Sequence, residues 1–337
     1  MEMLMSGFEE NEISKNAFGG TELAKRRLAQ LVPEELLEDF QIICSRVREL
    51  DETKIRIYWP HDLPEDPECI KMKDAAFRDK FHHFVYISNW QYSRFQLVAN
   101  MPYDINSIVI DHGIDPIEWV EKPKDKIRLV YTSTPQRGLD ILLPVFEKLC
   151  EKYDNIELDV FSSFKIYGWE ETDKQFEPLY ERVRNHPKMN YHGFVSNETL
   201  RDHLKTCHIH AYPSTWMETS CRAILEAMSA GLMCVHPNLA ALTDTSGNLN
   251  YMYQGDENKN VHAMSFYNAL DFAIQNVNTQ EIQDYTKFVK SYTDHRYNWK
   301  RISSSWIGML ENLKKQYPTI ESRKFKDESK MFVYKAQ

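Results

Sequence analysis

The stretch PSTWMETSCRAILEAMSAGLMCVHP, residues 213–237, decides how this sequence is read. HIHAYP (208–213) before it reads as a strand, its apolar middle as a helix, and LMCVHP (232–237) as a second strand. Strand, helix and strand in succession are the repeating unit of a parallel sheet. Thr219 and Ser220 are natural N-caps for a helix running to Ala230, and Gly231 suits its C-terminal end. Free N–H groups and the positive dipole end make such a helix start an anion site. Two glutamates punctuate the stretch. Glu218 precedes the helix, and Glu226 lies two turns into it among apolar neighbours, where an unpaired carboxylate is costly. A carboxylate suits vicinal hydroxyls, so a phosphate at the helix start and a ribose diol at Glu226 together describe a bound nucleotide. The plainer alternative makes both glutamates ordinary solvated helix residues.

Working outward, the alternation continues in both directions. FQIICSR (40–46), IRIYWP (55–60), FVYIS (84–88) and SIVID (107–111) read as strands, with a weak first strand over 2–8 and a helix over Thr21–Leu31. The lysine-rich, proline-containing run 117–126 reads as an interdomain linker. Beyond it come strands IRLVYTS (127–133), IELDVFS (156–162) and MNYHGF (189–194), with helices over 138–153, 173–185 and 197–206. The last 80 residues read as helices, ending in one whose apolar face carries Trp299, Ile302, Trp306, Met309 and Leu310. Two doubly wound α/β domains in series with a helical tail are expected: 1–120, 121–300 and 301–337.

Composition narrows the function classes. Only 11 of 337 residues are glycine, well under an average share of about 7%, which excludes collagenous and flexible-linker chains. Each glycine present then marks a backbone position that a side chain would spoil. The formal net charge of −9 argues against a generic nucleic-acid coat. Six scattered cysteines without a CxxC pair point to reduced thiols. No signal peptide and no apolar run of membrane-spanning length are read, so a soluble, cytoplasmic protein is expected. HIH (208–210) and HH (82–83) lack ligand partners at metal spacing and read as core or surface histidines; no D-x-D occurs.

The E-x7-E block with its AILEAMSAG ending resembles the donor-site signature of family 4 glycosyltransferases, retaining nucleotide-sugar enzymes of bacterial or phage type with the GT-B fold. NAFGGTE (16–22), FVYISNWQYSRF (84–95), VIDHGID (109–115), TSTPQRGLDILL (132–143) and YHGFVSNETL (191–200) are similar to further blocks of that family, in its order. The resemblance implies two Rossmann-like domains facing across a cleft, the first taking the acceptor and the second the donor, with a C-terminal helix crossing back. Arg137–Gly138 opens a helix after a strand, and the resemblance implies that Arg137 forks onto the donor diphosphate. The family's second arginine, six positions earlier, is replaced by Tyr131, so Ser133 or Thr134 is expected to supply hydroxyl contacts. Gly19 and Gly20 are expected against the donor phosphates, and His61, at the end of a strand, against donor sugar or acceptor. An exposed loop histidine bonded to Asp62 is the alternative for His61. His112 replaces the family's usual asparagine and inherits no role.

The implied reaction moves a sugar from a UDP- or GDP-sugar to a hydroxyl on a glycan, a lipid-linked precursor or a hydroxylated DNA base, without cofactor or metal. Glu218, Arg137 and His61 are the expected catalytic residues; Glu226, Gly19, Gly20, Ser133, Thr134, Gly138, Thr219 and Ser220 are expected to bind the donor. A 2-epimerase or phosphorylase on the same fold, and an inactive nucleotide-sugar-binding subunit, are the competing readings. Lys25, Arg26 and Arg27 form a basic run that reads either as a solvated face or as a contact for anionic lipid.

Overall fold

The computed structural model describes residues 7–8, 19–102 and 106–325. Two compact units form. One comprises Met1–Ile13, Lys25–Ile110 and Ser303–Gln337; the other comprises Ser14–Ala24 and Asp111–Ile302.

The first unit holds a parallel sheet of β1 (Phe40–Ile43), β2 (Ile55–Tyr58), β3 (His83–Tyr86) and β4 (Ser107–Val109), in that order. The first three strands are buried along their whole length. Burial on both faces is why apolar residues dominate them, with Gln41, Arg56 and His83 buried among them. Of the weak first strand, residues 2–6 lie outside the described residues, and Phe8 makes a single parallel bridge to Ile42. The tail is tied in by Arg56, whose Nη2 donates to the Arg323 carbonyl at 2.7 Å, and by Trp306 against Trp59. Trp299, Ile302, Trp306, Met309 and Leu310 are all buried, the stripe that their helical spacing requires. Lys25 departs from expectation. It is buried, whereas Arg26 and Arg27 of the same run on the Gly20–Leu31 helix are partly exposed.

The second unit holds six parallel strands in the order β10 (Tyr251–Tyr253), β9 (Met233–Pro237), β8 (Ile209–Ala211), β5 (Ile127–Thr132), β6 (Ile156–Phe161), β7 (Met189–Tyr191). The chain builds β5, β6 and β7 outward in one direction. It then returns to place β8 on the other side of β5. The order therefore reverses between β5 and β8, and ligands in such sheets bind at the carboxyl ends of the strands flanking that point. The expected linker over 117–126 is instead fastened to this unit. Ile117 N–H donates to Ser229 Oγ at 2.9 Å, and Lys122 Nζ caps the Lys205 and Ala230 carbonyls at 2.8 Å. The two units part earlier, between Ile110 and Asp111. Among the described residues, no helix is long and apolar enough to cross a membrane.

Candidate active site

The loops leaving β5 and β8 meet at the reversal point. β5 ends at Thr132; a short 3-10 turn over Pro135–Arg137 follows, then Gly138 and the Leu139–Cys150 helix. Gly138 has φ +114°, and a Cβ on it would stand 2.2 Å from the Pro213 carbonyl oxygen, so only glycine lets the β5 and β8 loops approach this closely. Across that contact, Arg137 Nη1 donates to Glu218 Oε1 at 2.7 Å, and the Tyr212 hydroxyl donates to the same oxygen at 2.6 Å. The Arg137 side chain is 22% exposed and that of Glu218 7%. Burial disfavours the Arg137 charge, but Glu218 outweighs it, and the guanidinium titrates well above its ordinary range. Trp216 lies under the guanidinium at 5.8 Å, and the Tyr167 hydroxyl stands 3.5 Å from Nη2.

Tyr167 also brings in the glycine loop. A Cβ on Gly19 would stand 2.9 Å from its ring, which places Gly19 one side chain away from Arg137. Gly20 starts its helix with nothing within 4 Å of a Cβ. The Asn16–Phe18 part of that block lies outside the described residues. Tyr131 does not face the site. It is fully buried, and its hydroxyl donates to the Thr134 carbonyl at 2.7 Å. Thr134 is buried with its own hydroxyl oxygen unbonded, beside partly buried Ser133. An unbonded buried hydroxyl is costly, and a bound oxyanion would satisfy it.

The helix carrying Glu226 is shorter than expected. It runs Arg222–Ser229 with Cys221 at the N-cap position, so Thr219 and Ser220 lie in the loop before it and do not cap it. Glu226 is buried and fully engaged. Asn197 Nδ2 donates to both carboxylate oxygens at 3.2 and 3.3 Å, and Arg222 Nε donates at 3.1 Å, while Arg201 Nη1 lies 3.5 Å away. Both glutamates are thus paired and buried rather than solvated. His61 belongs to the other unit. It is buried, its backbone N–H donates to Ser45 Oγ at 2.8 Å, and its ring packs edge-on against Trp59. An exposed loop histidine is excluded. His208 and His210 are structural: His208 bridges the Arg128 N–H and the Pro123 carbonyl, and His210 meets Thr132 Oγ1 at 3.0 Å.

Several residues of the site escaped the sequence reading. Arg222 stands four positions before Glu226, a helical ion-pair spacing visible in the sequence. Asn197 falls within the YHGFVSNETL block, and Tyr212 and Trp216 flank Glu218 closely. Tyr167 sits in a stretch of 3-10 turns, Phe164–Tyr167 and Glu170–Phe176, where no periodicity signals it.

Two parallel-sheet α/β units in this topology make the GT-B fold, and solved glycosyltransferases share it. A glycosyltransferase from Rickettsia africae superposes with a TM-score of 0.68 at 12% identity, over 90% of this chain and 84% of that one. Sucrose-phosphate synthase from Thermosynechococcus elongatus gives 0.64 at 13% identity, over 78% and 68% of the two chains. Anabaena HepE, solved in complex with UDP and glucose, gives 0.61 at 15% identity, over 87% and 76%. More particularly, residues 116–264 match the family model of glycosyl transferases group 1. No curated protein matches the chain.

Proposed function

We propose that the chain is a retaining, family 4-type glycosyltransferase that moves a sugar from a nucleoside-diphosphate donor to an acceptor hydroxyl. Support comes above all from the Arg137–Glu218 pair, which joins the loops leaving β5 and β8 where the strand order reverses. The match of residues 116–264 to group 1 glycosyl transferases supports the same reaction class, and HepE, similar in fold, was solved with UDP and glucose.

In this mechanism the diphosphate lies against Arg137 and the backbone at Gly138, with Gly19, Gly20, Ser133, the unbonded Thr134 hydroxyl, Thr219 and Ser220 completing its contacts. Glu226, already ringed by Asn197 and Arg222, holds the ribose diol. Glu218 accepts from the donor sugar's hydroxyls, and Arg137 and Tyr212 fix its orientation. As the bond from the anomeric carbon to the diphosphate oxygen breaks, negative charge grows on the leaving group, and the preorganised guanidinium stabilises it. No side chain in this cluster is assigned as a nucleophile. A diphosphate oxygen therefore takes the acceptor's proton as the acceptor oxygen bonds to the same face of the sugar, which retains configuration. Charge stabilisation by Arg137 takes the place of a metal. The first unit, with His61, receives a glycan or lipid-linked acceptor in the cytoplasm. A panel of UDP-, GDP- and ADP-sugars, scored for nucleoside diphosphate release, tests the reading; no release from any donor contradicts it.

A second reading, donor binding without turnover, rests on Tyr131. It stands where the resemblance places a second arginine, and Arg137 is the guanidinium that follows β5. Thermal stabilisation by a nucleotide sugar without any release of diphosphate would favour it.

A further inference from the structure

Asp159, His203 and Cys207 place a carboxylate oxygen, an imidazole nitrogen and a sulfur within 4.8 Å of one another, and the transfer chemistry uses none of them. Asp159 comes from β6, His203 from the last turn of the Asn197–Leu204 helix, and Cys207 from the turn entering β8. The Asp159 side chain is 6% exposed. Its Oδ1 is taken by His192 Nε2 at 2.8 Å and Asn190 Nδ2 at 3.2 Å. None of these hydrogen-bonding partners carries a permanent positive charge, and a carboxylate this buried needs one.

An imidazolium at His203 would supply it through an aligned N–H···O bond. His203 Nε2 stands 3.0 Å from Asp159 Oδ2, an ion-pair distance, but off the line of a well-directed N–H···O bond. A neutral imidazole there turns its lone pair and the carboxylate's toward the same space, which a cation can fill. Cys207 Sγ is the remaining atom around that space. It donates a long hydrogen bond, 3.5 Å, to the His203 carbonyl.

We propose that Asp159 Oδ2, His203 Nε2 and Cys207 Sγ bind a divalent cation of the zinc class. One oxygen, one nitrogen and one sulfur ligand suit such an ion, with the fourth tetrahedral position left to solvent. Metal–ligand distances of about 2.0–2.3 Å place tetrahedral ligand atoms roughly 3.3–3.8 Å apart, within the spread of this cluster. On binding, the Cys207 thiol gives its proton to solvent as the sulfur–metal bond forms. Through Oδ1, His192 and Asn190 turn Oδ2 toward the metal, as outer-shell partners do. The ion ties β6 and the entry to β8 to the end of the helix whose first residue, Asn197, holds Glu226. It thereby clamps residues 192–204.

Titration of the purified protein with Co²⁺ tests this directly. One equivalent is expected to bind, with a near-ultraviolet sulfur-to-cobalt charge-transfer band and the intense visible bands of a tetrahedral site, both removed by Zn²⁺. Cys207→Ser should abolish the charge-transfer band, and His203→Asn should weaken Co²⁺ binding at least tenfold with an unchanged circular dichroism spectrum. Cys150→Ser, at the one partly exposed thiol, should leave the titration as it is. Absence of the charge-transfer band in the unmodified protein, its survival in Cys207→Ser, or unweakened binding in His203→Asn would each overturn the proposal. Should Cys207→Ser fail to fold, His203→Asn decides alone.

Discussion

Arg137 and Glu218, 81 residues apart in the chain, are joined Nη1 to Oε1 at 2.7 Å across the contact between the β5 and β8 loops. Removing one partner of such a pair leaves the other buried and uncompensated. That costs about 3–5 kcal/mol when burial is complete, and less here because Arg137 keeps 22% of its surface. Arg137→Ala is expected to lower turnover about 10²–10³-fold, the range for loss of one preorganised donor. Arg137→Lys should recover part of it, since Lys keeps the charge but loses the fork. Steady-state kcat on the best donor checks both.

Glu226→Ala is expected to act on binding rather than on chemistry. Loss of two hydroxyl contacts corresponds to about 30–150-fold in donor affinity at roughly 1–1.5 kcal/mol each. Calorimetry with the intact nucleotide sugar reads it. Affinity unchanged by the substitution would remove Glu226 from the ribose.

Two glycines of the expected donor loops should behave differently. Gly138→Ala must fit a Cβ 2.2 Å from the Pro213 oxygen at φ +114°, whereas Gly20→Ala meets nothing within 4 Å. The first should destabilise the fold by at least ~2 kcal/mol, and the second should stay within ~0.5 kcal/mol. Chemical denaturation of the two variants makes the comparison.

Acid should unfold the protein through its buried histidines. Burial, with Arg222 nearby, lowers His112 to about 3; burial and then His236 lower His210 to about 3; burial lowers His236 to about 4. In the first unit, burial and the charges of Arg56 and Arg323 lower His82 to about 4. Folded-state values lie below the ordinary 6.5, so the unfolded chain binds more protons between about 4 and 6.5 and stability falls as pH drops through that window. Each histidine contributes up to ~1.4 kcal/mol per pH unit there. Denaturant midpoints between pH 7 and 4.5 should decline steadily, and His82→Gln should flatten part of the slope.

Much of this architecture was legible because parallel strands buried on both faces print themselves as short apolar runs. The runs at 40–46, 127–133 and 156–162 each became a strand. The linker was misread because Lys122 looks solvated by composition, whereas its ammonium caps carbonyls at 205 and 230, partners far away in sequence. Within the site, Glu218, Glu226, Arg137 and Gly138 stand at element junctions, where sequence signals are strongest. Tyr212, Tyr167 and Asn197 are placed by tertiary contact alone, and Thr219–Ser220 lost the cap position because the helix begins one residue beyond Cys221. The Asp159–His203–Cys207 cluster joins three elements that no local spacing connects.

Whether the Arg137–Glu218 cluster takes the donor is decided by nucleotide binding. Isothermal calorimetry of UDP, GDP and ADP should give one nucleoside diphosphate that binds unmodified protein, with affinity lowered at least tenfold in Arg137→Ala at unchanged fold. Binding of none of the three, or equal affinity in Arg137→Ala, would contradict it.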